Sequence, residues 1–413
     1  MLKLFSSFLM LCLIIGSIQW AGSSVYSTVK ITQNLSPSEQ LLVESGNKFG
    51  FKLFKKIVEE EKNKNVFISP LSISMALGMV YNGANGTTKD AIQETLELTG
   101  LSFQEVNESY KTLINSVTRL DSKVLFKIAN SIWYRTELSL VKEFINLNKV
   151  YYNAQVKGLD FNDPNALKLI NGWVSDATGG KIKEIVDTID PLTVMFLINA
   201  IYFKGNWAFE FDKTLTEDDF FNLSDESKKP SKMMTQNGLF DYFETENFQA
   251  IDLPYEDDKF SMMVLLPRPG KSVDLLVAEF NQVSWDQWLN RFSEQQGTLQ
   301  LPKFTLEYEL TLNDILKALG MSIAFDPSRA DFTPMNKGAE RLYINKVKHK
   351  TFIEVNEEGT EAAAVTSVEM VLASLGPYPF FIMRVDRPFL FVIRENHSQS
   401  ILFMGKIVEP LLK

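Results

Sequence analysis

Residues Glu357–Leu372 have the sequence Glu-Glu-Gly-Thr-Glu-Ala-Ala-Ala-Val-Thr-Ser-Val-Glu-Met-Val-Leu, in which side-chain character alternates. Glu357, Glu361 and Glu369 fall on odd positions. The even positions from 360 onward carry small or apolar side chains: Thr360, Ala362, Ala364, Thr366, Val368, Met370 and Leu372. A period of two predicts a β-strand with one buried face. Glycine and three successive alanines are nevertheless poor strand formers, so the segment can form a strand without being obliged to.

The length of this segment matters if it does form a strand. The 15 residues from Gly359 to Ala373 span roughly 50 Å when fully extended. A compact globule of this chain length has a diameter of about 55 Å. If the segment entered a β-sheet, it would therefore cross the whole molecule.

Three further motifs accompany this stretch. Lys346-Val347-Lys348-His349-Lys350 precedes it, Asp386-Arg387-Pro388-Phe389-Leu390-Phe391 follows it, and Leu402-Phe403-Met404-Gly405-Lys406 lies near the end of the chain. Together with Glu-x-Gly-Thr-Glu-Ala-Ala-Ala at 357–364, they resemble the hinge and reactive loop of the serpins, a family of serine-protease inhibitors. The resemblance covers about residues 36–410.

The resemblance implies an α+β fold in a single domain. The expected architecture has three β-sheets surrounded by eight or nine helices, with an exposed reactive loop at about residues 357–385. Small side chains at the start of the loop would let it enter a closed sheet. By resemblance, this hinge comprises Glu357, Gly359, Thr360, Glu361, Ala362, Ala363 and Ala364.

Two more groups of residues follow from the resemblance. The shutter, which includes the start of the second helix, comprises Ser69, Ser72, Asn199 and His349. The breach, beneath the point where the loop first enters the sheet, comprises Trp207 and Lys303. Lys303 is expected to form an ion pair with Glu357; alternatively, it is an exposed lysine that contributes little.

Local patterns predict some of the elements that carry these groups. Ser69-Pro70 predicts a short strand that runs directly into a buried helix, with serine as the cap and proline at the first helical position. Thr88 is predicted to cap a helix over Ala91–Leu96. Leu301–Phe304 is predicted to be a strand.

The sequence also predicts a helix and a strand that are related to the main sheet. Asp163-Pro164 predicts a helix start and Gly179-Gly180 its end. By resemblance, this helix lies across the main sheet and must move aside when the loop enters. Val194–Phe203 is almost continuously apolar, which predicts a strand buried on both faces. Asn199 interrupts that run and needs a hydrogen-bond partner there.

Residues Met1–Ser23 differ from the rest of the chain. Lys3 precedes an apolar run from Phe8 to Ile15, and Ala21-Gly22-Ser23 provides small residues for cleavage. This pattern is typical of a secretory signal peptide, whereas the run is short for a membrane anchor. We therefore expect a signal peptide at 1–23 and a serpin domain at 24–413. The protein would be secreted and extracellular, or periplasmic in a bacterial host.

Composition limits the classes of partner. With 413 residues, 45% apolar and 23% charged, the chain has the composition of a globular protein. A formal net charge of −9 argues against nucleic acid and anionic membranes as partners. The only cysteine, Cys12, lies in the predicted signal peptide. The mature chain would therefore lack thiols for disulfides, redox chemistry or metal binding.

Enzymatic chemistry is not favoured by the residue types present. The chain has two histidines, His349 and His397, and neither accompanies a Gly-x-Ser-x-Gly or other nucleophile motif. The sequence also lacks phosphate-binding loops and clustered transition-metal ligands. We predict a protein that is not an enzyme and that needs no metal or cofactor.

The resemblance instead implies a monomeric suicide inhibitor. A target serine protease would cleave the loop and form a covalent acyl-enzyme, and the loop would then insert into the main sheet and trap the protease. The usual family spacing places the scissile bond at Ala373-Ser374, with Leu372-Ala373 as the alternative. The alternative function is a non-inhibitory carrier or chaperone-like binding protein, which would have bulky, charged or proline residues at the even hinge positions.

The target class follows from the side chains near the scissile bond. No lysine or arginine occurs between Thr351 and Met383, which disfavours a trypsin-like protease. Ala373 favours an elastase-like target and Leu372 a chymotrypsin-like one. Pocket size discriminates such side chains only modestly, so both remain open.

Overall fold

The computed structural model of the chain describes residues 35–120, 123–191, 193–338, 341–360 and 380–412. From Leu35 onward, the chain forms one compact unit. The predicted signal peptide lies outside the described residues. So do the hinge residues from Glu361 to Ala364 and the candidate scissile-bond residues Leu372, Ala373 and Ser374.

Nine α-helices lie within the described residues. They are α1 (Pro37–Glu60), α2 (Pro70–Tyr81), α3 (Gly86–Thr95), α4 (Phe103–Arg119), α5 (Lys142–Tyr152), α6 (Ala166–Ala177), α7 (Val273–Glu279), α8 (Gln282–Leu289) and α9 (Asn313–Leu316). In this described part of the chain, no helix combines the length and apolar character needed to span a bilayer.

Fifteen β-strands accompany these helices in the same residues. They are β1 (Val66–Ile68), β2 (Leu125–Arg135), β3 (Gln155–Leu159), β4 (Met195–Asn206), β5 (Glu217–Asn222), β6 (Lys228–Glu244), β7 (Phe248–Pro254), β8 (Phe260–Pro267), β9 (Ser293–Pro302), β10 (Phe304–Thr311), β11 (Lys348–Val355), β12 (Gly359–Thr360), β13 (Phe380–Arg384), β14 (Phe389–Glu395) and β15 (Ile401–Ile407).

The strands form two hydrogen-bonded sheets. The six-stranded sheet, called the main sheet below, has the order β10-β11-β12-β4-β2-β3. The nine-stranded sheet has the order β1-β15-β14-β8-β7-β6-β9-β13, with β5 paired to β6. The long strand β6 pairs with β5, β7 and β9 and so joins two parts of this sheet. The α+β class is confirmed, with two continuous sheets where the resemblance implied three.

The two faces of β4 contact different apolar clusters. Ile201 and Phe203 belong to the main core, whereas Ile198 and Ala200 belong to a second cluster that includes residues of α6. Neighbouring side chains on a strand point to opposite faces. The strand is therefore buried on both faces, as its apolar run predicted.

The start of α2 agrees with its sequence pattern. Ser69 is the N-cap residue, and its hydroxyl accepts a hydrogen bond from the Ser72 amide at 3.2 Å. Pro70 occupies the first helical position, where its missing N–H leaves no partner unsatisfied. The strand before it, β1, ends at Ile68, so the turn from strand to helix is as abrupt as predicted.

Two local predictions were wrong. Thr88 does not cap a helix, because α3 begins earlier, at Gly86, and Thr88 lies buried within it. Its hydroxyl accepts a hydrogen bond from the Asp331 amide at 3.0 Å. Leu301–Phe304 is not one strand but the junction of β9 and β10. At Lys303 the amide donates to the Lys232 carbonyl at 2.8 Å, which separates the two strands.

A buried lysine holds the end of α1 against β15. The side chain of Lys406 is 0% exposed, and its Nζ donates to the Lys62 carbonyl at 2.6 Å and the Glu61 carbonyl at 3.3 Å. Asp274 Oδ1 lies 3.4 Å from the same nitrogen. Burial lowers the pKa of Lys406, and the nearby Asp274 opposes this shift. The ammonium therefore occupies a buried site rich in acceptors.

Replacing Lys406 with methionine tests this arrangement. Lys406→Met removes the donor to the Lys62 carbonyl, whereas the Glu61 carbonyl keeps its bond from the Lys64 amide, so we expect a loss of about 1–3 kcal/mol in the free energy of unfolding. Lys64→Met is the control, because the Lys64 side chain is 71% exposed, and we expect less than about 0.5 kcal/mol there. The measurement is the urea midpoint of each variant. Equal midpoints would contradict the structural role of Lys406.

Candidate functional site

The candidate site begins where β12 lies between β11 and β4. Thr360 is paired with Val355 of β11 and with Gly205 of β4, and Gly359 is paired with Asn206. The two-residue strand is antiparallel to both neighbours. Across the described residues, β11 and β4 form no ladder with each other. The boundary between β11 and β4 beyond Thr360 is called the slot below.

A close backbone approach at the top of the slot explains the glycine at 359. A Cβ at this position would overlap the Gly205 carbonyl oxygen and lie 2.6 Å from Asn206 Cα. Real Cβ atoms do not come this close to backbone atoms, so a larger residue would push β12 away from β4. The hinge therefore enters the sheet through a position that only glycine fits.

A tight turn connects β11 to β12. The Asn356 side-chain oxygen accepts hydrogen bonds from the Glu358 and Gly359 amides, at 3.0 and 3.2 Å. The Asn356 amide also donates to the Gly359 carbonyl at 3.0 Å. An asparagine side chain that bonds the backbone two residues on is typical of turns. This turn directs the chain back along β11 and into the slot.

The predicted hinge ion pair has short contacts in the structure. Lys303 Nζ lies 2.7 Å from Glu357 Oε2, and the Glu357 side chain is 8% exposed. The Thr216 hydroxyl donates to the other carboxylate oxygen at 2.8 Å. Burial disfavours the charged form, but hydrogen bonds from Lys303 and Thr216 outweigh it and lower the pKa of Glu357. An exposed Lys213 pairs with Glu358 beside it.

Trp207 and Tyr255 form an aromatic layer beneath the hinge. Their rings stack with centroids 4.7 Å apart, and Trp207 Nε1 donates to the Asn356 carbonyl at 3.0 Å. The Tyr255 hydroxyl lies 2.6 Å from the Thr360 hydroxyl, and both residues are buried. Burial raises the pKa of Tyr255, so its hydroxyl stays protonated. Thr360 of β12 is thus hydrogen-bonded to the aromatic layer beneath it.

His349 and Ser69 meet at the far end of β11. His349 Nε2 accepts a hydrogen bond from the Ser69 amide at 3.1 Å, and the Ser69 hydroxyl donates to the Leu402 carbonyl at 2.6 Å. Burial lowers the pKa of His349 to about 3. The imidazole is therefore neutral at physiological pH, which its role as an acceptor requires.

Asn199 connects the same helix start to the strands on the other side of the slot. Its side-chain oxygen accepts from the Ser72 hydroxyl, and its amide donates to Asn130 Oδ1. Asn130 in turn donates to the Tyr152 carbonyl at 2.7 Å. Among the hydrogen bonds of the described residues, none joins Asn199 directly to His349. Both instead contact the first turn of α2 and its cap.

Asn130 was missed in the sequence. It lies directly opposite Asn199 in the antiparallel pairing of β2 and β4, and both side chains are buried. The signal was available, because Asn130 interrupts the alternating strand Leu125–Arg135 as Asn199 interrupts its apolar run. A second buried amide on a neighbouring strand is the partner that an isolated one needs.

The predicted residues thus form two groups along the slot. Glu357, Gly359 and Thr360 lie with Trp207 and Lys303 at the upper end. The four shutter residues lie around the start of α2. The groups are about 20 Å apart, since Val355 and His349 are six positions apart along β11. No group of acidic or histidine side chains suited to a metal ion occurs in the described ranges.

Comparison with known proteins agrees with this arrangement. The family model Serpin (serine protease inhibitor) matches residues 44–410. Human neuroserpin is 35% identical over 369 residues, covering 87% of this chain and 89% of that protein. Human Serpin B8 is 35% identical over 377 residues, covering 89% and 99%. The structure of human thyroxine-binding globulin has a TM-score of 0.84 and 29% identity, covering 91% and 100%.

The fold and the geometry of the hinge agree with the family match, which extends over most of the chain. The chain belongs to the serpin family. The family is described as serine protease inhibitors and not as enzymes, in agreement with the prediction from the two isolated histidines.

Stability should depend on pH through His349. The pKa of His349 is about 3 in the folded protein and about 6.5 in an unfolded chain. The unfolded state binds the proton between these values, so stability falls as pH drops below about 6.5. We expect a loss of about 2 kcal/mol between pH 7 and pH 5. His349→Gln keeps an acceptor without titrating, and equal pH dependence of its urea midpoint and that of the wild type would contradict this assignment.

The ion pair at the hinge can be tested by hydrogen exchange. Lys303→Met leaves Glu357 buried without its cation, so the turn at 356–360 should open more often. We expect exchange of the backbone amides in this turn to accelerate about tenfold, equivalent to 1.4 kcal/mol. Lys213→Met is the control, since the Lys213 side chain is 60% exposed. Similar acceleration in both variants would show that burial of the pair is unimportant.

Proposed function

We propose that the chain is a secreted inhibitor that traps serine proteases by inserting its cleaved loop into the slot. The observation that carries the proposal is the register of β12, which pairs with β11 and β4 at once. From Gly359 to Thr360, β12 points towards the slot, because it is antiparallel to both neighbours. A loop released by cleavage would have to extend this pairing.

The register can be continued into the loop sequence. Each further residue would pair one position earlier in both neighbouring strands, starting from Thr360 with Gly205 and Val355. Thr366 would then lie between Asn199 and His349, the two shutter side chains that lie on β4 and β11. A threonine hydroxyl can donate and accept, so the level of the slot with a polar side chain on both strands would receive a polar residue.

The two even positions before Thr366 carry small side chains. In the same register, Ala362 would lie between Phe203 and Ile353, and Ala364 between Ile201 and Thr351. All four neighbours are buried. Alanine adds little volume next to such side chains, so entry meets little packing resistance. Fast entry matters because the loop must insert before water hydrolyses the acyl-enzyme.

Several finer features belong to the same proposal. The signal peptide at 1–23 would direct secretion, and a single domain at 24–413 would act as a monomer. The scissile bond would be Ala373-Ser374, or Leu372-Ala373 one residue earlier. The target would be elastase-like for Ala373 or chymotrypsin-like for Leu372. None of these steps needs a cofactor.

A carrier function is the second candidate. The structural likeness to a thyroxine-binding globulin solved in complex with thyroxine favours it, since that relative binds a small molecule. The even hinge positions argue against it, because their small residues are those that insertion needs. A carrier has no requirement for rapid insertion, so larger or charged residues would be tolerated there.

The test is to mix the mature protein with pancreatic elastase and, separately, with chymotrypsin. We expect a band at the summed mass that survives denaturation, with cleavage near Ala373 by mass spectrometry. Cleavage without this band, and without a rise in thermal stability, would favour the carrier. Cleavage elsewhere with a stable complex would correct the scissile bond and leave the trapping mechanism intact.

Thr360→Arg should convert the inhibitor into a substrate. Thr360 is 1% exposed and contacts the Tyr255 hydroxyl. An arginine there cannot be buried without a partner, so insertion slows and hydrolysis wins. We expect at least tenfold more inhibitor to be consumed per protease trapped. Thr360→Ser keeps the hydroxyl and serves as the control. An undiminished yield of complex for the arginine variant would refute the insertion step.

A further inference from the structure

Several asparagines of the chain lie in Asn-x-Ser/Thr triplets, the acceptor sequence for N-linked glycans: Asn34, Asn85, Asn107, Asn222 and Asn396. A glycan is bulky and hydrophilic, so a folded protein carries it only where the side-chain nitrogen faces solvent. Asn34 lies outside the described residues. The surroundings of the other four asparagines differ, and they determine which triplets the folded protein can use.

The Asn107 triplet is incompatible with a glycan in the folded chain. Asn107 is 1% exposed within α4, and its nitrogen donates to the Phe103 carbonyl at 3.0 Å. Ser109, the third residue of the triplet, is 2% exposed. The transferring enzyme acts on the nascent chain before it folds, so Asn107 could receive a glycan at that stage. Such a molecule would not reach the native fold, because a close-packed site has no room for a large polar group.

The nitrogen of Asn396 is used inside a polar network. It donates to the backbone carbonyl and to the carboxylate of Asp258, both at 3.2 Å. The side-chain oxygen of Asn396 accepts from the Ser261 hydroxyl at 2.9 Å and from Arg394 Nη1 at 2.6 Å. Arg394 in turn forms a buried ion pair with Asp252. A glycan would replace one of the two N–H groups and force the Asn396 side chain out of this network.

Asn222 is held against a turn of the same chain. Its backbone amide and its side-chain nitrogen both donate to the Asp386 carbonyl, at 2.7 and 3.0 Å. Asn222 is also half-buried at the end of β5. Its nitrogen therefore faces the protein backbone, and a sugar attached to it would displace Asp386 from the end of β5.

Asn85 has different surroundings from these three asparagines. Asn85, Gly86 and Thr87 are all exposed, and they lie where the chain enters α3. A Cβ added at Gly86 would meet no heavy atom within 4 Å, so the space beside the triplet is open. Asn85 occupies the N-cap position, yet its side chain makes no capping hydrogen bond with the helix. The helix therefore does not hold this side chain in place.

The side-chain hydrogen bond from Asn85 to Asp331 is compatible with the modification. Asn85 Nδ2 donates to Asp331 Oδ2 at 3.0 Å in an exposed position. A glycan replaces one of the two hydrogens on this nitrogen, and the other can still donate. The backbone amide of Asn85 donates separately to the Asp331 carbonyl at 3.0 Å. The turn before α3 therefore keeps its position when the side chain is modified.

We propose that Asn85 is a site of N-linked glycosylation, and that the folded protein carries no glycan at Asn107, Asn222 or Asn396. The inference rests on the secretion that forms part of the proposed function, since the modification takes place on exported chains. The donor is a lipid-linked oligosaccharide. A bond forms between Asn85 Nδ2 and the anomeric carbon of the first sugar, and the bond from that carbon to the diphosphate breaks. The lipid diphosphate leaves with the bonding electrons, and one amide proton is released to water.

The test is to express the full chain in cultured human cells and to purify the secreted protein. Peptide-N-glycosidase F in heavy-oxygen water converts each glycosylated asparagine into a labelled aspartate, which peptide mass spectrometry then locates. We expect the label at Asn85 in most molecules and at none of Asn107, Asn222 and Asn396. A secreted protein without the label at Asn85, or with it at any of the other three, would overturn the proposal.

Two variants of Thr87 separate the modification from a change of fold. Thr87→Ala destroys the triplet and leaves Asn85 in place, whereas Thr87→Ser retains an acceptor triplet. We expect secreted Thr87→Ala to migrate faster than the wild type on denaturing gels, and Thr87→Ser to migrate with the wild type. Because Thr87 is exposed, both variants made without glycans in bacteria should keep the urea midpoint of the wild type. Equal migration of Thr87→Ala and the wild type would contradict the assignment.

A second preparation distinguishes this inference from the proposed secretion. In it, residues 24–413 follow a signal peptide of the host cell. If only this form is secreted and it carries the glycan at Asn85, the predicted signal peptide is wrong and the glycosylation site stands. If the full chain is secreted without a glycan at Asn85, secretion stands and the site is refuted. A glycan at Asn85 in both secreted forms supports both.

Discussion

The main sheet has a central strand, β12, of two residues in the described part of the chain. There, Gly359 and Thr360 pair with both β11 and β4, which form no ladder with each other. Backbone N–H and C=O groups in a buried sheet need partners, and a group without one is unfavourable. A longer strand between β11 and β4 would pair with the backbone groups of both over its whole length. That gain in backbone pairing is the thermodynamic basis of the proposed trap.

The polar residues below the slot make such a change of partners feasible. A purely apolar junction would resist opening through its packing, whereas amides and hydroxyls can exchange one hydrogen bond for another. Asn199 uses its oxygen towards Ser72 and its amide towards Asn130, so it is satisfied without any group from the slot. His349 is satisfied by the Ser69 amide in the same way. The sheet can thus be stable when closed and can still accept a polar residue when open.

The sequence predicted the elements whose signals are local and missed features that arise from pairing. Ser69-Pro70 determines its own cap, and the residues 194–203 were long and apolar enough to identify a buried strand. The prediction that Thr88 caps a helix was wrong because its hydroxyl instead accepts a hydrogen bond from the Asp331 amide, far along the chain. Asn130 was overlooked because its importance comes from its register with Asn199. The contacts of the hinge were expected from family resemblance; periodicity and charge would not have predicted them.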